Sequence, residues 1–317
     1  MKITRGNQVM KIRNHRIFTA VTLVILLFTT LSIAQSGRVK TGDERAAAAS
    51  TAASKALGGE NNLGSIKSIV ITGTMVSQTT TVFFSANGPS STPTGKSSQS
   101  MEIRLLLPDN MMKIQTRTLP FANLPSTTYD GVSGGESRSM SPAGGVMGSS
   151  GAAPKVENRT VISQDPTAVA TKLYEMARLL LGMLLRSGPV TPLTLTYAGT
   201  HAGGGFTITR SNDVLGTIEF DPKTNYPSAI RYIETTTMPS IVSDPATGSA
   251  SMGPGKSQYI DMIMGFSDRT LVNGVMFPQT ITWKSTGDSP QPIDREFKIE
   301  KIQINSGLTL KDFELPK

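Results

Sequence analysis

The chain has 317 residues, of which 38% are hydrophobic, 6% aromatic and 17% charged, and its formal net charge is +8. It contains no cysteine and only two histidines, His15 and His201, which excludes disulfide scaffolds, thiol nucleophiles and metal sites built on Cys or on several His. The length is sufficient for one large all-β domain or two small ones.

Residues 1–34 are predicted to be a secretory leader. Five basic residues and no acid precede an apolar stretch from Ile17 to Ala34, and the small residues Ser32 and Ala34 occupy the −3 and −1 positions before Gln35. This pattern is typical of a cleaved signal peptide, with an uncleaved N-terminal anchor as the alternative. The sequence therefore predicts an exported protein, periplasmic or associated with the cell envelope of a bacterium.

The leader also carries much of the positive charge. Its removal takes away five positive charges and no negative ones, so the net charge falls from +8 to +3. The remaining basic residues are scattered and aromatic residues are few, whereas nucleic-acid binding requires clustered basic residues and aromatic platforms. We therefore expect no nucleic-acid partner, and membrane contact only through the leader if it stays uncleaved.

Two helices are predicted in the mature chain. The first covers Asp43–Leu57, has acids in its first turn and stops at Gly58-Gly59; an Ala-rich tether is the alternative. The second begins at Asp165-Pro166, an N-cap followed by a proline, and ends at Gly188-Pro189. Its apolar residues recur at steps of four and three and form a broad face that must be covered on most sides: Val169, Leu173, Met176, Leu180 and Met183. Lys172, Glu175 and Arg178 interrupt this helix, so it is not a membrane span.

Most of the remaining mature chain is predicted to be β-strand, because it is rich in Ile, Val, Thr and aromatics between Gly, Pro, Asn and Asp. The candidate strands are Ile66–Thr80, Met101–Leu107, Met111–Thr118, Leu193–Gly199, Phe206–Ser211, Leu215–Asp221, Ala229–Thr237, Tyr259–Ser267, Met276–Ser285 and Arg295–Asn305. In the last of these the alternation slips at Glu300-Lys301, which predicts a β-bulge. The pattern predicts a mainly β (α+β) fold, a large curved antiparallel sheet wrapped around two or three helices.

Three stretches rich in Ser, Thr, Gly and Pro interrupt the pattern, at about 86–100, 134–155 and 243–256. They hold too few bulky apolar groups to offset the entropy of ordering, so they are predicted to be mobile hairpin tips or connections outside regular elements. The rest of residues 35–317 is predicted to form a single domain.

Three segments match catalytic or nucleotide-binding motifs only superficially. Gly131-Val-Ser133-Gly-Gly135 fits the nucleophile-elbow pattern, but no helix follows it and His201 is the only histidine left to act as base. The segments Ser90–Ser97 and Ala250–Ser257 approach a P-loop, yet no helix follows either of them. We expect no catalytic residue, no metal and no cofactor; a serine hydrolase is a remote alternative.

Several turn motifs, taken in order, carry a family resemblance. They are Lys55-Ala-Leu-Gly-Gly59, Tyr129-Asp-Gly131, the Asp-Pro-x-Thr-x-x-Pro turn of Phe220–Pro227, the Asn-Gly turn within Phe266–Pro278, and the closing Ile304–Pro316. This order resembles the bacterial outer-membrane lipoprotein carrier / lipoprotein-sorting (LolA/LolB-like) superfamily over roughly residues 55–317. One departure is Ser133-Gly-Gly-Glu136, which stands where a Trp often follows the Asp-Gly turn. The resemblance implies a half-barrel, one curved antiparallel sheet whose concave side is closed by helices.

Such a half-barrel would leave an apolar cleft, and flexible Met side chains suit a lining that adapts to varied guests. The candidate lining residues are Leu173, Met176, Leu180, Met183, Met262, Met264, Phe266 and Trp283. The expected function is non-catalytic binding or carrying of lipophilic groups, namely lipid or lipoprotein acyl chains. The alternative is a structural or protein-interaction module of the envelope in which the same residues are plain core. Candidate partners are a lipid, a lipoprotein and other envelope proteins.

Overall fold

The computed structural model describes residues 39–85, 88–119, 124–142, 158–188, 190, 192–199, 205–210, 213–243, 250–287 and 292–316. The predicted leader, His201 and most of the predicted insertion at 134–155 lie outside the described residues.

Three α-helices are present among the described residues: α1, Glu44–Leu57; α2, Glu60–Ser65; and α3, Pro166–Leu184. Both predicted helices are confirmed, so the tether alternative for the first is wrong. Asp43 and Asp165 are N-caps, accepting the N–H of Ala46 at 2.7 Å and of Ala168 at 3.0 Å. The second predicted helix ends earlier than expected, because Leu185 adopts a left-handed conformation with φ of 54°. No helix in the described ranges is long and apolar enough to cross a membrane.

All ten predicted strands are confirmed. The strands have these bounds: β1, Lys40–Thr41; β2, Ser68–Ser85; β3, Gly88–Leu106; β4, Asn110–Leu119; β5, Leu124–Ser133; β6, Glu136–Pro142; β7, Asn158–Ser163; β8, Thr194–Tyr197; β9, Phe206–Arg210; β10, Asp213–Phe220; β11, Pro227–Ser243; β12, Ala250–Val272; β13, Val275–Thr286; β14, Asp294–Ile304.

The sequence analysis missed β1, β5, β6 and β7, and it wrongly placed residues 88–100, 136–142 and 250–256 outside regular elements. These stretches are poor in bulky apolar residues, yet their backbones pair with a neighbouring strand. Strand pairing extends to Ser85 opposite Gly88 and to Ser243 opposite Ala250. Backbone hydrogen bonds form these hairpins without the side-chain pattern on which the prediction relied.

The strands form one 14-stranded sheet in the order β1-β8-β9-β10-β11-β12-β13-β14-β2-β3-β4-β5-β6-β7. All pairs are antiparallel except β1 with β8. Helix α3 contacts β11, β12 and β13 and also β5 and β6, although four strands separate these two groups in the sheet. The sheet therefore curves around α3, and the predicted fold class is confirmed. The predicted bulge is also present, as a register shift between Ile299 and Lys301.

One continuous core fills the space between the concave face of the sheet and helices α1 and α3. Helix α1 contributes Ala46, Ala53 and Leu57, and its small side chains allow a close approach to the sheet. On the convex face a 3₁₀ turn, Leu310–Phe313, contacts β4 and β5 and buries Phe313. The concave core is the larger of the two and contains the candidate site.

Candidate functional site

The structure brings the predicted lining residues together in the concave core. Seven of them lie on α3 or β12. Met176, Leu180, Met183 and Met264 have no exposed surface, and Met262 is 2% exposed. Phe266 and Trp283 are 6% and 9% exposed. Leu173 is only partly buried and packs against the same core. The described interior is filled by side chains at this point, since a Cβ added at Gly182 of α3 would overlap the Phe266 ring.

Methionine is unusually frequent in this core. Seven methionines belong to it: Met75, Met101, Met111, Met176, Met183, Met262 and Met264. We call this set the methionine core. The first three come from β2, β3 and β4 and were not named in the sequence-based lining. Their alternation with more exposed neighbours was the available signal, as at Met101 and Ile103 of β3.

The two halves of α3 differ in burial. No residue from Pro166 to Glu175 is buried, whereas every residue from Met176 to Leu185 is buried except Arg178. The C-terminal half is also held by Arg269 of β12, whose guanidinium donates to the carbonyl oxygens of Gly182 at 2.9 Å, Pro227 at 2.7 Å and Met276 at 3.2 Å. Burial lowers the pKa of Arg269 to about 10, although Tyr226 beside it acts in the opposite direction.

The N-terminal half of α3 is held by ion pairs with β4 and β5. Lys172 lies 2.6 Å from Asp130, and Lys113 lies 2.9 Å from Asp130 and 2.7 Å from Glu175. We call these four residues the ion-pair cluster. Burial by itself would raise the pKa of Asp130, but Lys113 and Lys172 outweigh it and hold that pKa below its usual value. Likewise burial would lower the pKa of Lys113, and Glu175 and Asp130 raise it above its usual range.

Arg178 is the exception within the buried half of α3. Its guanidinium carbon lies 3.9 Å from the centroid of the Tyr232 ring on β11, a cation–π contact. Its Nε is buried without a hydrogen-bond partner among the described residues. Burial lowers the pKa of Arg178 and raises that of Tyr232 to about 12, so the phenol is neutral near pH 7.

Two of the motifs that carried the family resemblance meet at a surface cavity of about 580 Å³ near the C-terminal end of α3. It is lined by the Asp221–Pro227 turn and by Phe266–Arg269. Asp221 accepts the N–H groups of Lys223 at 2.7 Å and Thr224 at 3.2 Å, so its carboxylate shapes the turn. Asp268 accepts the hydroxyl groups of Ser267 and Thr280. These residues therefore build the turn and the strand pair, as turn motifs do in any sheet.

Ser133 lies in the hairpin between β5 and β6, where its hydroxyl donates to Asn110 at 2.8 Å. A nucleophile elbow needs a strand followed by a helix, and here a strand follows, so the motif match has no structural counterpart. The P-loop-like segments at 90–97 and 250–257 lie in β3 and β12, with no helix after either. No group of three or more His, Asp or Glu able to hold a metal occurs within the described ranges.

Comparison with known proteins adds a remote structural likeness. No protein-family model matches the chain, and no curated protein matches it. Among solved structures, the chain is similar to a LolA superfamily protein from Nitrosomonas europaea, with 8% identity and a TM-score of 0.40. The match covers 83% of this chain and 97% of that chain. At this level the likeness concerns the general arrangement of sheet and helices and carries no functional argument.

Proposed function

We propose that the protein is a non-catalytic binding protein of the bacterial cell envelope that holds lipophilic groups between the concave face of the sheet and α3. The main support is the methionine core, in which seven methionines line one continuous interior. Thioether side chains are unbranched and polarizable, so they repack around guests of varied shape at low cost. The placement in the envelope rests on the predicted leader at residues 1–34.

A guest requires an opening, and the contacts of α3 favour one side of the molecule. The N-terminal half has no fully buried residue: Val169, Leu173 and Tyr174 pack against the core while staying partly exposed, and the ion-pair cluster joins this half to β4 and β5. Partly exposed ion pairs contribute little stability compared with buried apolar contacts. We therefore propose that residues 166–175 move away from β4 and β5 to admit the guest, while the C-terminal half stays in place.

A second candidate function is an interaction module with a permanently packed interior. The observation that favours it is the near-complete burial of the predicted lining residues, together with the direct contact between Gly182 and the Phe266 ring. In that case α3 is an ordinary core helix and never leaves the sheet.

Cross-linking α3 to β5 separates the two functions. The chain has no cysteine, so Asp130→Cys with Lys172→Cys supplies a single pair for a short bismaleimide. The control joins Lys284→Cys and Asp294→Cys, an exposed pair between β13 and β14. The probe is the methyl ester of cis-parinaric acid, a neutral fluorescent polyene whose emission rises on burial.

We expect the unlinked cysteine variant and both forms of the control to bind the ester. Cross-linking 130 to 172 should abolish binding, because α3 can no longer move. Equal binding of the ester before and after this cross-link would contradict the proposal that residues 166–175 move to admit the guest. Absence of ester binding in every form, with no lipid seen by native mass spectrometry of protein from a bacterial envelope, would favour the interaction module.

A further inference from the structure

Arg178 stands apart from the other arginines that contact the core. Arg269 donates to three backbone carbonyls, and Arg186 donates to those of Leu63 at 3.2 Å and Ile66 at 2.8 Å. Arg178 has no hydrogen bond and no ion pair with any described residue. An arginine carries five N–H donors. The buried Nε–H of Arg178 has no partner among the described residues, and leaving such a donor unpaired is costly. A residue with this cost is a candidate for binding an acceptor from outside the chain.

The guanidinium remains accessible to a ligand. Its Nε is buried, but the residue as a whole is partly exposed, and its terminal nitrogens have no partner in the described part of the chain. The guanidinium carbon lies 3.9 Å from the centroid of the Tyr232 ring, and this cation–π contact holds the group in place. Arginine in a fixed orientation suits carboxylate and phosphate, whose two oxygens accept its parallel N–H groups.

The charged residues around Arg178 leave its guanidinium available to a ligand. Glu175, one helical turn earlier, accepts both of its hydrogen bonds from Lys113, at 2.7 and 2.9 Å. Glu234 of β11 and Arg295 of β14 carry opposite charges and act in opposite directions on the pKa of Tyr232. Glu234 forms no ion pair with Arg178 in the described structure. No carboxylate among the described residues therefore occupies the donors of Arg178.

Arg178 lies where the methionine core begins. Tyr232, whose ring contacts Arg178, pairs with Met262 of β12 in the sheet. Two residues further along β12, on the same face, lies Met264, which pairs with Trp283 of β13. A hydrocarbon chain among these methionines would thus bring a polar end group close to the guanidinium. Apolar burial would stabilise the tail of such a ligand, and charge-assisted hydrogen bonds would stabilise its head group.

We propose that Arg178 binds the anionic head group, carboxylate or phosphate, of an amphiphile whose hydrocarbon part lies in the methionine core. This inference rests on the proposed function and narrows the guest from lipophilic groups in general to anionic amphiphiles. It assigns a specificity role to a side chain that interrupts the apolar face of α3.

Comparison of cis-parinaric acid with its methyl ester tests this assignment, because the two share a tail and differ in head-group charge. The full chain and its Arg178→Met variant are titrated with both probes by fluorescence. Arg231→Met is the matched control, since Arg231 is exposed on the other face of β11 and pairs with Glu219. Arg178→Lys is the second variant, and circular dichroism verifies folding of each.

We expect the unmodified protein to bind the acid about tenfold or more tightly than the ester, the range of a charge-assisted hydrogen bond. Arg178→Met should remove this preference by weakening only the acid, Arg178→Lys should keep part of it, and Arg231→Met should leave it unchanged. Inorganic phosphate alone should bind at least ~100-fold more weakly than the acid, since it has no tail to bury.

Three results would overturn the assignment: equal affinity of the unmodified protein for acid and ester, an unchanged preference in Arg178→Met, or phosphate binding as tight as that of the acid. In each case binding of the ester still supports the proposed function. Failure of the ester to bind any form is the separate result that removes the proposed function itself.

Discussion

The two halves of α3 are held to the same sheet by different physical means. From Met176 to Leu185 the helix is attached by apolar burial and by Arg269, whose donors reach three backbone carbonyls. From Pro166 to Glu175 no residue is fully buried, and the attachment combines the partly buried Val169, Leu173 and Tyr174 with the ion-pair cluster to β4 and β5. The difference indicates a fixed half and a half that can detach without unfolding the core.

The largest expected loss of unfolding free energy comes from Arg269→Met. This change leaves the carbonyl oxygens of Gly182, Pro227 and Met276 without this donor in a partly buried location, at about 1–3 kcal/mol for each unsatisfied group. We expect the free energy of unfolding, measured with urea, to fall by roughly 3 kcal/mol or more. Arg231→Met, the exposed control, should change it by less than about 0.5 kcal/mol. A similar effect of both substitutions would show that Arg269 does not fix the C-terminal half.

The second largest loss of unfolding free energy is expected for Gly182→Ala. Alanine in a helix interior normally stabilises by about 1 kcal/mol over glycine, but here its Cβ overlaps the Phe266 ring. We expect a loss of about 1–3 kcal/mol in unfolding free energy from overpacking. The control is Gly64→Ala in α2, where no atom lies within 4 Å of the added Cβ, and it should be neutral or stabilising. The double variant Gly182→Ala with Phe266→Leu should recover most of the loss; no recovery would place the strain elsewhere.

Lys113→Met is expected to weaken the attachment of the N-terminal half of α3 to the sheet and to leave the C-terminal half unchanged. It leaves Asp130 with one partner and Glu175 with none of its two hydrogen bonds to Lys113. We expect a cost of about 1–2 kcal/mol, intermediate between exposed and buried pairs. Hydrogen exchange should become faster in residues 166–175 and stay unchanged in 176–184. Equal acceleration throughout α3 would argue against two separate halves.

The ion-pair cluster also predicts that the stability of the fold depends on pH. Because the pKa of Asp130 is lower in the folded state than its ordinary value, this carboxylate stabilises the fold above about pH 3.9 and loses that contribution as the pH falls through its folded pKa. Asp130→Asn should therefore cost stability at pH 7, and the difference from the unmodified protein should shrink as the pH falls below 4. A difference that persists at low pH would contradict the role of the charge.

Arg178→Met should have the smallest effect on stability and the opposite sign. The substitution removes a cation with an unpartnered buried Nε and keeps an apolar side chain of similar length, so the unfolding free energy of the ligand-free protein should stay the same or rise by about 1 kcal/mol. A loss comparable to that of Arg269→Met would mean that Arg178 is a structural residue.

Much of the fold could be predicted because it depends on local patterns. Asp165-Pro166 and the apolar spacing that follows fix the start and face of α3, and the slip at Glu300-Lys301 predicts the bulge. Strands β5 to β7 were missed because their Ser, Thr and Gly residues lack the apolar alternation of a buried strand. Their pairing depends on backbone groups that any sequence provides.

The candidate site was predictable only in part. The apolar residues of α3, β12 and β13 lie in one interior, as the periodic face on which each lies indicates. The ion-pair cluster joins residues 42 and 62 positions apart, which no local pattern indicates. Lys172, Glu175 and Arg178 did provide a signal, because their spacing of three places them along one side of the helix. The sequence analysis used them only to exclude a membrane span.

The most direct test of the account is hydrogen exchange of the α3 amides in the full chain, measured with and without cis-parinaric acid methyl ester. We predict that residues 166–175 exchange through local opening, that residues 176–184 exchange only with global unfolding, and that the ester changes protection in the first segment and not in the second. Uniform protection along α3, unaffected by the ester, would contradict the proposal that this half-barrel opens to hold a guest.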